Sequence, residues 1–253
     1  MPDDRPHPME RNGRQAWPPE LSEPLREVDR LRRGGRYTSA LALARTLAEA
    51  HPTQVRVLVE VGLTLGVWGG QPAEALPWFD RVLELAPGHV ATRYHRALTL
   101  ARLGRHAEAV EEFAQVEAAG FRKALVLHMK RAESLGVLGR LTEAEADWTA
   151  ALAEDRGNPW LLQQRARSRA RAGRMDAAEA DLTEALASQV GDAVDPELLY
   201  ERGVLRLQRD DVTGSRADFH AGLQAFRVGD PPSLLDALRS GLQDAASREG
   251  GTR

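Results

Sequence analysis

Residues 93–116 read RYHRALTLARLGRHAEAVEEFAQV, and this stretch decides the fold. From Arg93 to Leu103, Tyr94, Ala97, Leu98 and Ala101 recur at helical spacing. Gly104 then stops the helix, because glycine alone enters the left-handed conformation of a helix C-terminus without a steric cost. A second helix follows from Ala107 to Val116, with Ala109, Val110, Phe113 and Val116 on one face. The pattern is a helical hairpin whose two apolar faces need more surface than the hairpin itself supplies.

The same pattern recurs along the chain. Gly35, Gly70, Gly104, Gly139 and Gly173 are 35, 34, 35 and 34 residues apart, and alanine follows each by five, at Ala40, Ala75, Ala109, Ala144 and Ala178. The series continues more weakly to Asp210 and Ser215. A small residue sits within each preceding helix at Gly62, Ala97, Ala132, Ala166 and Gly203, and a bulky one follows at Phe79, Phe113, Trp148, Leu182 and Phe219. Small residues let two helices approach, the bulky residue fills the space beyond, and units that cannot bury their apolar face alone must stack.

A helix–turn–helix period of this length, with small, glycine, alanine and bulky positions in this order, resembles the tetratricopeptide repeat. The second unit matches best, with Leu58, Gly62, Leu65, Gly70, Ala75, Phe79 and Pro87, and carries one extra residue, expected in its turn. Units are placed at 21–54, 55–89, 90–123, 125–158, 159–192 and 196–229. In the later units Phe121, Arg156, Val190 and Arg227 replace the terminal proline of the family pattern. The resemblance implies an all-α, right-handed superhelical solenoid. Residues 1–19, rich in proline and charge, read as a disordered tail. Residues 231–249 carry an apolar stripe of Leu234, Leu235, Leu238, Leu242 and Ala245 and read as a C-terminal capping helix, which Gly241 weakens by about 1 kcal/mol relative to alanine.

A second pattern lies beneath the first. Arg96, Arg131, Arg165 and Arg202 are each followed sixteen residues later by an acid, at Glu112, Asp147, Asp181 and Asp218. In a helical hairpin this spacing faces the two groups across the helices, and the planar guanidinium fork suits a carboxylate. These pairs are expected to staple the hairpins. The first two units break the pattern, with Glu27 and Leu43, then Val61 and Trp78, and are expected to rely on apolar packing.

Signals of chemistry are sparse. The chain has 34 Lys and Arg against 37 Asp and Glu, a net charge of −3, which lacks the basic excess of a general nucleic-acid binder. It has no cysteine, which removes disulfides, thiolate metal sites and a cysteine nucleophile. Only Lys123 and Lys130 are lysines, and neither sits in a phosphate-binding loop. The seven histidines form no metal-ligand spacing, and no serine sits in a nucleophile elbow. No cofactor, no metal and no enzymatic activity are expected. The N-terminus lacks a secretory signal and the most apolar window, Val55 to Gly70, is too short and too charged for a bilayer, so a cytoplasmic protein is expected.

Family ligand positions lie on the first helix of each unit. Carried onto this sequence, the resemblance implies a peptide-binding groove containing Tyr94, Arg102, Met129, Lys130, Trp160, Gln163, Gln164, Arg167 and Arg171, with Val126 beside them and Glu197 and Glu201 in the sixth unit. No consecutive units supply the Lys, Asn and Arg set by which family members clamp a chaperone's C-terminal carboxylate. The function expected is a non-enzymatic protein–protein interaction scaffold or adaptor that takes a peptide or helix, with acidic peptides preferred because Arg102, Lys130, Arg167 and Arg171 surround the apolar anchors. The alternatives are a homo-oligomer assembled through Leu63, Leu65, Val67 and Trp68 of the second unit, and, ranked lower, a nucleic-acid-associated factor.

Overall fold

The computed structural model describes residues 19–189 and 194–250. The tail expected over 1–19 thus lies outside the described residues except for Pro19, which opens a helix, and so does Val190. The described residues are helical throughout, with one isolated bridge between Val228 and Asp230. The described residues divide into two compact units, the first ending at Arg105 and the second beginning at His106.

In the first unit, α1 (Pro19–Arg33) packs on α2 (Tyr37–Ala50), and α3 (Val55–Leu63) packs on both α2 and α4 (Pro72–Leu85), which in turn packs on α5 (Val90–Arg102). In the second, α6 (His106–Ala118) packs on α7 (Ala124–Val137). The hairpins α7/α8 (Leu141–Glu154), α9 (Pro159–Arg171)/α10 (Met175–Ala187) and α11 (Pro196–Gln208)/α12 (Val212–Ala225) follow, each stacked on the next, and α13 (Pro232–Gly250) covers α12 and α11.

The turns follow from backbone sterics. Gly35, Gly70, Gly104, Gly139 and Gly173 all have φ between +67° and +77°. Asp210, at the equivalent point of the sixth unit, has φ +60° without glycine's freedom.

The extra residue of the second unit is absorbed elsewhere than expected. Its turn is ordinary, and the preceding helix continues beyond α3 as a π-helical turn, Thr64–Trp68. There the Gly69 N–H donates to Thr64 O at 2.7 Å, one residue further back than in an α-helix. The sequence carries the same mark: Gly62 to Gly70 spans eight residues, where Ala97 to Gly104 spans seven. Widening one helical turn keeps both ends of the helix in register with their neighbours, which lengthening the interhelix turn would not.

Packing explains the small positions. A Cβ built on Gly62 would lie 2.5 Å from the Phe79 ring, and one on Gly203 would lie 2.7 Å from the Phe219 ring. Both rings are fully buried, each contributing about 1.5–3 kcal/mol. Gly241 of α13 departs from its sequence reading for the same reason. A Cβ there would meet Phe219 Cζ at 2.6 Å, so the glycine lets the capping helix close over that ring.

A partner-facing surface on the first helices

Each hairpin of the second unit is fastened by a carboxylate on its second helix. Arg131 Nε and Nη2 donate to Asp147 at 2.7 and 2.6 Å, and His128 Nδ1 lies 3.0 Å from the same side chain. Arg165 donates to Asp181 at 3.0 and 2.7 Å, with Arg169 Nη1 2.7 Å away. Arg202 donates to Asp218 at 3.0 and 2.6 Å, with Arg206 Nη1 at 2.9 Å. The three aspartates are buried. The hydrogen bonds of Asp147, despite the cost of burial, hold the Arg131 guanidinium above its usual range, and Arg131 in turn pulls the Glu117 carboxyl below its own. Arg96 and Glu112 fall in different units, and Arg96 Nε donates to Asp80 at 2.7 Å within the first.

The first two hairpins do not rest on apolar packing alone. Arg32 Nη1 donates to Glu60 at 2.7 Å, and Arg56 meets the other oxygen of Glu60 at 2.7 Å. The Trp68 ring, on the π-helical turn, lies 5.6 Å from the Arg32 guanidinium and covers it. The sequence reading missed this group because its members do not share the sixteen-residue spacing.

With the hairpins fastened, the first helices of the second unit present one side. Asn158 caps α9, its Oδ1 accepting from Trp160 N at 3.0 Å and Leu161 N at 3.2 Å, with Pro159 preset for the first helical position. This places Trp160 at the start of α9, 42% exposed, its ring edge-on to buried Trp148 at 5.7 Å and 83°. Val126 of α7 is also exposed, whereas Met129 is half-buried against the core.

The polar residues are engaged with one another. Lys130 pairs with Glu133 at 2.9 Å. Gln163, buried, donates to Glu201 Oε1 at 2.9 Å, and Arg167 Nε donates to the same oxygen at 2.9 Å. Arg167 Nη2 reaches both Glu201 and Glu197, the latter at 2.9 Å. Arg171 Nη2 donates to the Gly136 carbonyl at 2.9 Å, while Gln164 is half-buried. The cations on which the preference for acidic peptides rests are thus opposed, Lys130 by Glu133 and Arg167 by Glu197 and Glu201 of α11. Burial pushes the Glu201 carboxyl above the usual carboxylate range, more than Arg167 and Gln163 lower it. Burial also disfavours the Arg167 charge, but the two glutamates more than offset it.

In the first unit Tyr94 is 7% exposed and edge-on to His95 at 5.5 Å, a packing residue rather than a surface one. Arg102 donates to the Gly66 carbonyl within the π-helical turn. Arg102 and Arg171 therefore do the same thing, each binding a glycine carbonyl on the first helix of the preceding hairpin. The available signal was a glycine in one first helix followed 35 or 36 residues later by an arginine in the next. Among the described residues, no group of three or more His, Cys, Asp or Glu is placed to hold a metal ion, and no helix is long and apolar enough to cross a membrane.

The tetratricopeptide repeat family matches residues 69–123 and 164–229. No curated protein matches the chain. Among solved structures, the fold is similar to that of PilW, described as a widely conserved type IV pilus biogenesis factor. The TM-score is 0.68 at 17% identity, over 85% of this chain and 97% of that one. It is also similar to YrrB, described as a TPR protein with an unusual peptide-binding site, with a TM-score of 0.64 at 16% identity over 78% and 96% of the two chains. MamA from Desulfovibrio magneticus RS-1 gives a TM-score of 0.62 at 14% identity over 70% and 97%. At these identities the likeness establishes the fold.

Proposed function

The chain is a tetratricopeptide-repeat protein, and from that premise we propose that it is a non-enzymatic scaffold whose second unit takes a partner peptide or helix along α7, α9 and α11. Such repeats as a class mediate protein–protein interaction. The observation that carries the assignment is Trp160, a large aromatic left 42% exposed with its ring edge-on to buried Trp148. Exposed aromatics are enriched at interfaces, and one that loses little side-chain entropy on binding makes a strong anchor. Trp160 is fixed from below by Trp148 and along the backbone by the Asn158 cap, and Val126 adds apolar area on the neighbouring first helix. The partner is accordingly a segment with at least one apolar side chain to set against Trp160.

A peptide library selected against the full chain supplies ligands for the test. Trp160→Ala should weaken the selected peptides by about 2 kcal/mol, roughly thirtyfold, with the loss mainly in the off-rate. If they bind wild type and Trp160→Ala alike, the assignment fails. The exposed Val67 and Trp68 of the first unit then become the better surface, and the homo-oligomer the better function.

A further inference from the structure

Four features of the second unit's surface fit together once Arg167 is taken as their centre. Its side chain is about two-fifths exposed, on the same first helix as Trp160. Its Nε and Nη2 converge on one carboxylate oxygen of Glu201, and Nη2 also reaches Glu197. The holding groups belong to α11, the next first helix along the face, and not to the α9/α10 hairpin that carries Arg167. Nor do they fasten a hairpin, because that work is done by Asp181 and Asp218 on the second helices.

We infer that Glu201, assisted by Glu197, is an internal competitor that occupies Arg167 in place of a partner carboxylate, so that the face accepts an acidic peptide when Glu201 is neutral and resists it when Glu201 is charged. The inference names the charge chemistry and the regulation of the face proposed above, and it rests on that reading. The occupant itself argues for a carboxylate ligand, since the space in front of Arg167 already fits a glutamate side chain.

The neighbours of Glu201 isolate the switch. Its oxygen Oε1 collects donors from Gln163 and Arg167, while the side chain is 19% exposed. Protonation therefore removes the charge that balances Arg167 and leaves the neutral acid able to keep Gln163 as donor. The charged groups acting on it are Arg167 from α9 and Glu197 from its own helix. Those of the other elements packed on α11 are engaged elsewhere: Glu179 of α10 and Asp218 of α12 with Arg206, and Arg248 of α13 with Asp210. Burial raises the Glu201 carboxyl above the usual carboxylate range, so it takes up its proton more readily than an exposed glutamate.

The test uses the full chain and a fluorescently labelled hexaglutamate peptide, with hexaglutamine as the uncharged control, at about pH 7.5 and about pH 5.5, where the peptide stays mostly ionised. Wild type should bind hexaglutamate more tightly at the lower pH. At the higher pH Glu201→Gln should bind on the order of tenfold more tightly than wild type, the scale of one charge-assisted pair gained, and should lose most of the pH step. Arg167→Gln should bind weakly at both. Arg167-dependent binding that is indifferent to Glu201→Gln overturns the competitor while sparing the face. Hexaglutamate binding unchanged by Arg167→Gln overturns the inference, and binding of the library-selected peptides unchanged by Trp160→Ala overturns the face with it. Thermal melts of the three variants show whether each keeps its fold.

Discussion

Arg165 holds both oxygens of Asp181, by Nε at 3.0 Å and by Nη2 at 2.7 Å, with the aspartate side chain 3% exposed. Asp181→Ala strands that guanidinium in a largely buried position, and should cost about 3 kcal/mol of unfolding free energy in urea titrations. Because Arg169 also meets Asp181 but retains Glu145 at 2.9 Å, Arg165→Met with Asp181→Leu should recover part of the loss and not all of it. A double-mutant cycle with no coupling between positions 165 and 181 would show that the staple contributes nothing.

Two glycines within helices should respond to alanine in opposite directions. Gly136 has only Arg171 Nη1 near a built Cβ, at 3.8 Å, so Gly136→Ala should gain about 0.5–1 kcal/mol from helix propensity. Gly241 has the Phe219 ring at 2.6 Å, so there overpacking of about 1–3 kcal/mol should exceed the same gain. Chemical denaturation of the two variants beside wild type measures both signs. Equal stabilisation of the two would mean that α13 does not close over Phe219.

Asp210 takes a left-handed conformation at φ +60° where five other units place glycine. Asp210→Gly should therefore stabilise the sixth hairpin by up to about 1 kcal/mol, after the loss of its exposed pair with Arg248 at 3.1 Å. An unchanged or lower melting temperature would contradict this.

His89 caps α5 as a neutral acceptor, its Nδ1 receiving the Thr92 N–H at 3.2 Å. Burial, with the charge of Arg56, holds its folded-state value below the ordinary 6.5. The unfolded chain therefore binds more protons between the two values, so this contribution is complete above about pH 6.5 and is lost as the pH falls through that window. His89→Asn keeps a capping acceptor without titrating. The variant should lose less stability than wild type between pH 7.5 and pH 5.5. Identical pH profiles would show that the cap is not made by the neutral imidazole.

The fold was legible because a repeat states the same instruction several times. Gly104, Ala109 and Phe113 mean little alone, but their counterparts at one period leave a helical hairpin as the only reading. What misled were departures from the period. The extra residue between Gly62 and Gly70 was legible as an insertion, but its place in a π-helical turn depends on the register of both helix ends. The Arg131, Arg165 and Arg202 staples could be read from one spacing, whereas the group of Arg32, Arg56 and Glu60 joins different elements at unrelated spacings. On the partner face, counting charges within the third to fifth units left out Glu197 and Glu201, which belong to the sixth and neutralise Arg167. Tyr94 was misplaced because position in a repeat says which helix bears a residue, but burial depends on what the neighbouring helix brings to it.

The central claim, that a partner lies along the first helices of the second unit around Trp160, is tested most directly by hydrogen exchange on the full chain. It is measured with and without a saturating peptide from the library selection. Exchange should slow in α7, α9 and α11, centred on the amides of Trp160 and Leu161, with no such change in α8, α10 and α12. Protection confined to those second helices, or to the segment from Thr64 to Trp68, would contradict it.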